Sequence, residues 1–94
     1  MSVVYILYSK TLKRYYTGSC LNLEQRFDDH KNKKYQNSYT SGVNDWEVFY
    51  YIENLQYNQA RKIELHIKKM KSKKYIENLK KYEDISLKLR DMYK

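Results

Sequence analysis

The sequence predicts a small α/β domain of the α+β type, with a three-stranded, largely antiparallel sheet packed on helices in the order β-β-α-β-α-α. Three short runs, at 3–8, 14–17 and 46–52, are rich in β-branched and aromatic residues, which is typical of strands. Elsewhere, apolar residues recur every three or four positions, which is the period of a helix. A chain of 94 residues has the length of one domain.

The first two strands form a predicted hairpin. Residues 3–8 are a continuous apolar run, as expected of a central strand that is buried on both faces. A polar turn separates this run from the second strand at 14–17, and Gly18 is expected to end that strand. Antiparallel pairing would bring Tyr5 and Tyr16 close together across the ladder.

The segment after the hairpin predicts a helix and then a loop. Asn22 is a suitable N-cap, and Gln25 stands where a capping box has its second residue. One face of this helix carries Leu23, Arg26, Phe27 and His30. Residues 31–45 are polar and lack a period, so we expect a long mobile loop before the third strand at 46–52.

Helical periodicity resumes near Leu55 and predicts three further segments. The first carries an inward stripe of Ala60, Ile63, Glu64, Ile67 and Met70. Ser72 is expected to cap the second, whose apolar residues are Tyr75, Ile76 and Leu79. The third is a weaker helix formed by Ile85, Leu87, Leu89 and Met92. Residues 81–94 are therefore predicted to be a C-terminal helical extension.

Charge and composition favour a nucleic-acid partner. Nineteen Lys and Arg against eleven Asp and Glu give a net charge of +8, which attracts polyanions, although a lysine-rich surface can also serve solubility alone. The single cysteine, Cys20, offers neither an intramolecular disulfide nor a zinc cluster. We see no signal-peptide pattern and no apolar run near the ~20 residues of a membrane helix. The expected location is the cytoplasm, without a membrane partner.

Three titratable side chains fall on predicted inward faces. Arg26 and His30 are neighbours on one helix face because they are four positions apart, and Glu64 stands within the apolar stripe of another helix. A charged group on such a face is costly unless it is paired or binds a metal. A single such residue is best explained by a buried Arg26–Glu64 salt bridge, or by side chains that extend to water at the edge of the stripe. Three of them on two helices favour a shared polar cleft.

These residues, taken in order, resemble the GIY-YIG nuclease family. Val3-Val4-Tyr5 stands where that family has Gly-Ile-Tyr, and Tyr16-Thr17-Gly18 stands where it has Tyr-Ile-Gly. Arg26 and His30 follow at the family's spacing, and Glu64 occupies the place of its metal-binding glutamate. Each tripeptide alone is a weak signal, whereas the ordered and correctly spaced set is specific.

The resemblance covers about residues 3–80 and is greatest to short, stand-alone bacterial members. Residues 1–94 are accordingly expected to form a single nuclease domain, of which 81–94 match no family feature. The sequence departs from the family pattern at Val3, which replaces the glycine of the first motif.

The resemblance implies a metal-dependent endonuclease that hydrolyses DNA phosphodiester bonds in repair, recombination or processing. Glu64 would hold one Mg²⁺ or Mn²⁺, and Arg26 would donate hydrogen bonds to phosphate oxygens as charge develops. His30 would relay a proton or bind phosphate. Tyr5 is slightly favoured over Tyr16 as the base that activates water, and both remain open. Backbone contacts are expected from Lys31, Lys33, Lys34, Lys68, Lys69, Lys71, Lys73 and Lys74.

Three other interpretations remain open at this point. The first is a non-catalytic nucleic-acid-binding module with the same fold. The second is a structural protein whose charged residues form a buried network, which predicts no cleft. The third is a nuclease that acts on RNA by the same chemistry. A protein partner for targeting, the substrate's structure, the pathway and the oligomeric state are likewise open.

Overall fold

The computed structural model describes residues 1–23 and 45–94. Its elements are β1 (Ser2–Ser9), β2 (Arg14–Cys20), β3 (Trp46–Leu55), α1 (Tyr57–Met70), α2 (Lys73–Lys81) and α3 (Glu83–Met92). The strands form one antiparallel sheet in the order β2-β1-β3, which confirms the α+β class. The predicted helix at 22–30 and the predicted loop at 31–45 lie outside the described residues, except at their ends.

The central strand β1 separates two apolar clusters, because successive side chains of a strand point to opposite faces. Val4 and Ile6 pack with the buried residues of the helices. Tyr5 and Leu7 face the other way and pack with Trp46. Burial on both faces confirms the prediction that this strand is central.

The second strand is longer than predicted, and Gly18 does not end it. Strand β2 continues to Cys20, and Gly18 pairs directly with Tyr5 of β1. A Cβ atom at Gly18 would lie 2.5 Å from the Tyr5 hydroxyl oxygen and 2.6 Å from Cζ. Glycine is needed here because the Tyr5 ring lies close to the backbone, and not because the chain turns. The prediction that Gly18 ends the strand was therefore wrong.

The third strand and the first described helix differ from prediction at their boundary. Strand β3 extends beyond residue 52 to the buried Leu55, and α1 begins at Tyr57. Ala60, Ile63 and Ile67 are buried as predicted. Met70 is 45% exposed, so its place in the stripe was wrong. It is the last residue of α1, and Lys71 then turns the chain away in a left-handed conformation.

Helices α2 and α3 confirm the predicted C-terminal helices. The Ser72 hydroxyl accepts a hydrogen bond from the Tyr75 N–H at 3.1 Å, and it caps α2 as expected. In α3, Leu89 is buried, whereas Leu87 and Met92 are exposed, so only some of the apolar residues that predicted this helix lie on its inward face. The actual inward face includes Ser86, because its spacing from Leu89 fits a helical turn. Among the described residues, no helix is long and apolar enough to cross a membrane.

Candidate active site

Glu64 is an inward carboxylate with partners from two elements. Its Oε1 accepts a hydrogen bond from the Ser19 hydroxyl of β2 at 2.5 Å. Its Oε2 forms an ion pair with the ammonium of Lys68, one turn further along α1, at 2.7 Å. The Glu64 side chain is only 12% exposed. The prediction that this glutamate lies inward is confirmed, and these two partners compensate the charge.

The site lies at an edge of the sheet, because β2 pairs with β1 on one side only among residues 1–23 and 45–94. Along β2, side chains alternate between the two faces of the sheet. Ser19 points toward the helices, where it meets Glu64. Tyr16 points to the other face and packs against the cluster of Tyr5, Leu7 and Trp46. The edge therefore brings groups from both faces within reach of one substrate.

Two tyrosines lie on the face of the sheet away from α1, α2 and α3. Tyr16 pairs with Leu7, two positions along the ladder from the Tyr5–Gly18 pair, and the Tyr5 and Tyr16 ring centroids are 6.4 Å apart. The expectation that these tyrosines approach each other across the ladder is confirmed. The missing side chain at Gly18 leaves the space that the Tyr5 ring fills.

Tyr5 and Tyr16 differ in exposure. Tyr5 is 2% exposed, whereas Tyr16 is half-buried and lines an open groove. The Lys68 ammonium lies 5.9 Å from the centroid of the Tyr16 ring, so one lysine contacts both Glu64 and this tyrosine. Burial, and then Glu77 and Tyr8, raise the pKa of the neighbouring Tyr15, so its ionised form is harder to reach near neutral pH.

A groove of about 630 Å³ runs beside Tyr16, between β2 and the junction of α1 with α2. Its lining residues are Arg14, Tyr15, Tyr16, Thr17, Ile67, Lys68, Lys71, Ser72, Lys73 and Ile76. Four of these are basic, and none of the described residues that line it is acidic. A structural protein with a closed salt-bridge network predicts no such cleft. The groove has the charge expected of a surface for a polyanion.

The predicted contact lysines separate into distinct groups. Lys68, Lys71 and Lys73 line the groove. Lys69 instead lines a separate depression with Lys62, His66 and Tyr93. Lys74 is exposed on α2 but does not line the groove. Arg26, His30, Lys31, Lys33 and Lys34 lie outside the described residues, and so does any Arg26–Glu64 salt bridge.

The donor set suits one hard cation. Within residues 1–23 and 45–94, no group of three or more His, Cys, Asp or Glu side chains comes together. Glu64 contributes one carboxylate, and Ser19 contributes a hydroxyl beside it. Mg²⁺ is commonly held by one or two carboxylates, with water and substrate phosphate completing its shell. A single inward glutamate at a sheet edge fits that arrangement.

Two residues of the site were not singled out from the sequence. Ser19 meets Glu64 across 45 positions of the chain, a contact that no local pattern predicts. Arg14 begins β2 and lines the groove, but an exposed arginine at a strand end is unremarkable in a sequence. By contrast, the Glu64–Lys68 pair has a sequence signal, because the two residues are four positions apart on a helix.

One of three comparisons with known proteins finds a match. The family described as the GIY-YIG catalytic domain matches residues 1–81 of the chain. This range includes Tyr5, Tyr16 and Glu64 and stops at the end of α2, so α3 lies beyond it. A search of curated proteins finds no match, and neither does a search of solved structures.

Proposed function

This chain belongs to the GIY-YIG family of nuclease domains, and we propose that it is a divalent-metal-dependent endonuclease that hydrolyses DNA phosphodiester bonds. The family supports a nucleic acid as the substrate. One observation carries the proposal: an inward carboxylate, Glu64, lies beside a groove that is lined by Tyr16 and four basic residues. Such a pairing of a metal ligand with a polyanion surface suits phosphodiester cleavage.

Glu64 would hold the metal ion, either Mg²⁺ or Mn²⁺. When bound there, the ion would polarise the scissile phosphate and stabilise the leaving oxygen. Ser19 keeps the carboxylate oriented toward the edge of β2 through its 2.5 Å hydrogen bond to Oε1. A hydrogen bond of this kind fixes the rotamer of a ligand and is part of what tunes a metal site.

A tyrosine would take the proton of the attacking water. A phenol is a weak base near neutral pH, so it needs a cation beside it. Tyr16 is the better placed of the two tyrosines, since it lines the groove and has the Lys68 ammonium 5.9 Å from its ring centroid. Tyr5 was slightly favoured from the sequence, but exposure favours Tyr16. Tyr5 would then position Tyr16, since the centroids of the two rings are 6.4 Å apart.

The resemblance to the family assigns the remaining chemistry. Arg26 would donate hydrogen bonds to the phosphate oxygens as negative charge develops on them. His30 would relay a proton or bind the phosphate. The groove lysines Lys68, Lys71 and Lys73 would contact the backbone of the strand, which positions it without reading its sequence.

Cleavage of plasmid, single-stranded and branched DNA with Mg²⁺, Mn²⁺ or EDTA tests the proposal. We expect metal-dependent cutting that falls at least about a hundredfold in Glu64→Ala and by about 10²–10³ in Arg26→Ala, the typical loss when a charge-stabilising donor is removed. Both variants should retain the circular dichroism spectrum and most of the DNA affinity. Glu77→Ala, which removes an exposed glutamate of α2, is the matched control and should cut normally.

The same experiment separates the alternatives. Normal cutting by Glu64→Ala or Arg26→Ala would remove that residue from the mechanism. Binding to every DNA substrate without cutting would indicate a non-catalytic binding module. Cutting of RNA in a parallel assay, with none of DNA, would keep the chemistry and change the substrate.

A further inference from the structure

We propose that Lys68 is an exchangeable counter-ion of Glu64: a divalent cation displaces its ammonium from the carboxylate, and the freed ammonium then serves the phosphate in the groove. This inference rests on the proposed metal site at Glu64. Lys68 would have two partners in succession. The first is the Glu64 carboxylate, which its Nζ contacts at 2.7 Å, and the second is the phosphate.

The need for a counter-ion follows from burial. The Glu64 side chain is 12% exposed, and a carboxylate withdrawn from water is costly without a compensating charge. Among the described residues, the cation that forms an ion pair with it is Lys68. The pair keeps the site electrically balanced while no metal is bound, so the inward glutamate can persist in the folded protein.

The exchange is possible because Lys68 is free to move, whereas Glu64 is held in place. The Lys68 side chain is 47% exposed, and it is a flexible four-carbon stem that can swing away without moving α1. Glu64 is anchored on its other oxygen by Ser19. The neutral hydroxyl of Ser19 can stay when a cation arrives, whereas an ammonium and a metal ion at the same oxygen would repel each other strongly.

The groove provides the second position for the ammonium. Lys68 is one of the groove-lining residues, and its Nζ is already 5.9 Å from the centroid of the Tyr16 ring. Arg14, Lys71 and Lys73 line the same groove. A lysine released from Glu64 therefore joins these cations, where a phosphate would be its natural partner. Metal and nucleic acid would then favour each other's binding, since each relieves a charge that the other creates.

Mn²⁺ binding to the full chain without nucleic acid tests the exchange, with free Mn²⁺ measured by electron paramagnetic resonance. The variants are Lys68→Met, Lys69→Met and Glu64→Gln. Methionine keeps much of the apolar stem and removes the charge. Exposed pairs contribute about 0.2–1 kcal/mol, so Lys68→Met should bind Mn²⁺ about 1.4- to 5-fold more tightly than the wild type.

Lys69→Met is the matched control, because Lys69 is the next residue of α1 but lines a different depression. It should bind Mn²⁺ as the wild type does, and Glu64→Gln should not bind at this site. Unchanged or weaker binding in Lys68→Met, beside Glu64-dependent binding in the wild type, would overturn the exchange alone. Binding that does not depend on Glu64 in any variant would overturn the metal site and the inference together.

Discussion

Helix α1 carries two polar clusters, one around Glu64 and one around His66. These two residues are two positions apart in the sequence, but they have no partner in common in the part of the chain that the structure describes. Glu64 contacts the Ser19 hydroxyl and the Lys68 ammonium beside an open groove. His66 points elsewhere, and its Nδ1 hydrogen-bonds the Tyr93 hydroxyl at 2.8 Å. The His66 ring also lies 5.6 Å from the Tyr93 ring and 6.1 Å from the Tyr75 ring.

The two clusters show how the partners of a polar helix residue decide its use. The partners of Glu64 are a small hydroxyl and a flexible, half-exposed side chain, so a ligand can replace one of them. The partners of His66 are aromatic rings that pack in the fold, and burial, then Tyr93, raises the pKa of Tyr75. Tyr75 lies in α2 and Tyr93 at the end of α3, so these rings join α1 to both later helices. The first cluster is built to exchange a partner, and the second is built to keep one.

The two sides of α1 should differ most in DNA binding. Removal of positive charge from the groove should weaken binding far more than removal of charge on the His66 side. In the triple variant of Arg14→Gln, Lys71→Gln and Lys73→Gln, DNA affinity should fall about 10- to 100-fold at low salt. Each lost phosphate contact should also reduce the slope of log affinity against log salt by about 0.9. Fluorescence anisotropy at several salt concentrations measures both quantities.

A second triple variant has the same net charge and tests position. Lys62→Gln and Lys69→Gln act in the depression beside His66, and Lys88→Gln acts on exposed α3. This variant should lose at most a few-fold in affinity. Equal losses in the two triple variants would mean that net charge, and not the groove, controls binding. They would also support the predicted nucleic-acid contact by Lys69.

Gly18→Ala should lower the free energy of unfolding, because it disturbs packing beside the candidate site. The new Cβ would lie 2.5–2.6 Å from atoms of Tyr5, and Tyr5 is nearly fully buried, so its ring has little room to move. Overpacking of this kind costs typically about 1–3 kcal/mol. Urea unfolding measures the loss. In a Tyr5→Leu background the same substitution should cost less, since the clashing atoms are gone, and fully additive losses would contradict this explanation.

Much of the candidate site could be predicted because its residues follow local periods. The strand pattern placed Tyr5 on the central strand, the hairpin brought Tyr16 near it, and the helical stripe placed Glu64 inward. The C-terminal helices followed from the Ser72 cap and from apolar spacing. These signals act within a few residues, so a sequence displays them directly.

The parts that could not be predicted depend on distant residues. Gly18 was taken for a strand end because only the Tyr5 ring, across the ladder, explains a glycine in mid-strand. The Ser19–Glu64 bond joins elements 45 positions apart. Leu87 and Met92 helped to predict α3 but are exposed, because which face of α3 is buried depends on where that helix docks. Tertiary packing, and not local propensity, fixed each of these features.

The smallest effect is expected from a substitution that weakens the docking of α3. It should change stability and leave DNA cleavage unchanged. Tyr93→Phe removes the 2.8 Å hydrogen bond to His66 and keeps the ring, so unfolding free energy should fall by about 0.5–1.5 kcal/mol. DNA cleavage well below the melting temperature should stay unchanged, because Tyr93 and the Glu64 cluster lie on different sides of α1 and share no partner among the described residues. Urea unfolding and cleavage rates, measured on the same preparation, separate the two effects. A marked loss of cleavage with unchanged stability would show that the two clusters communicate through α1, and the distinction between them would then fail.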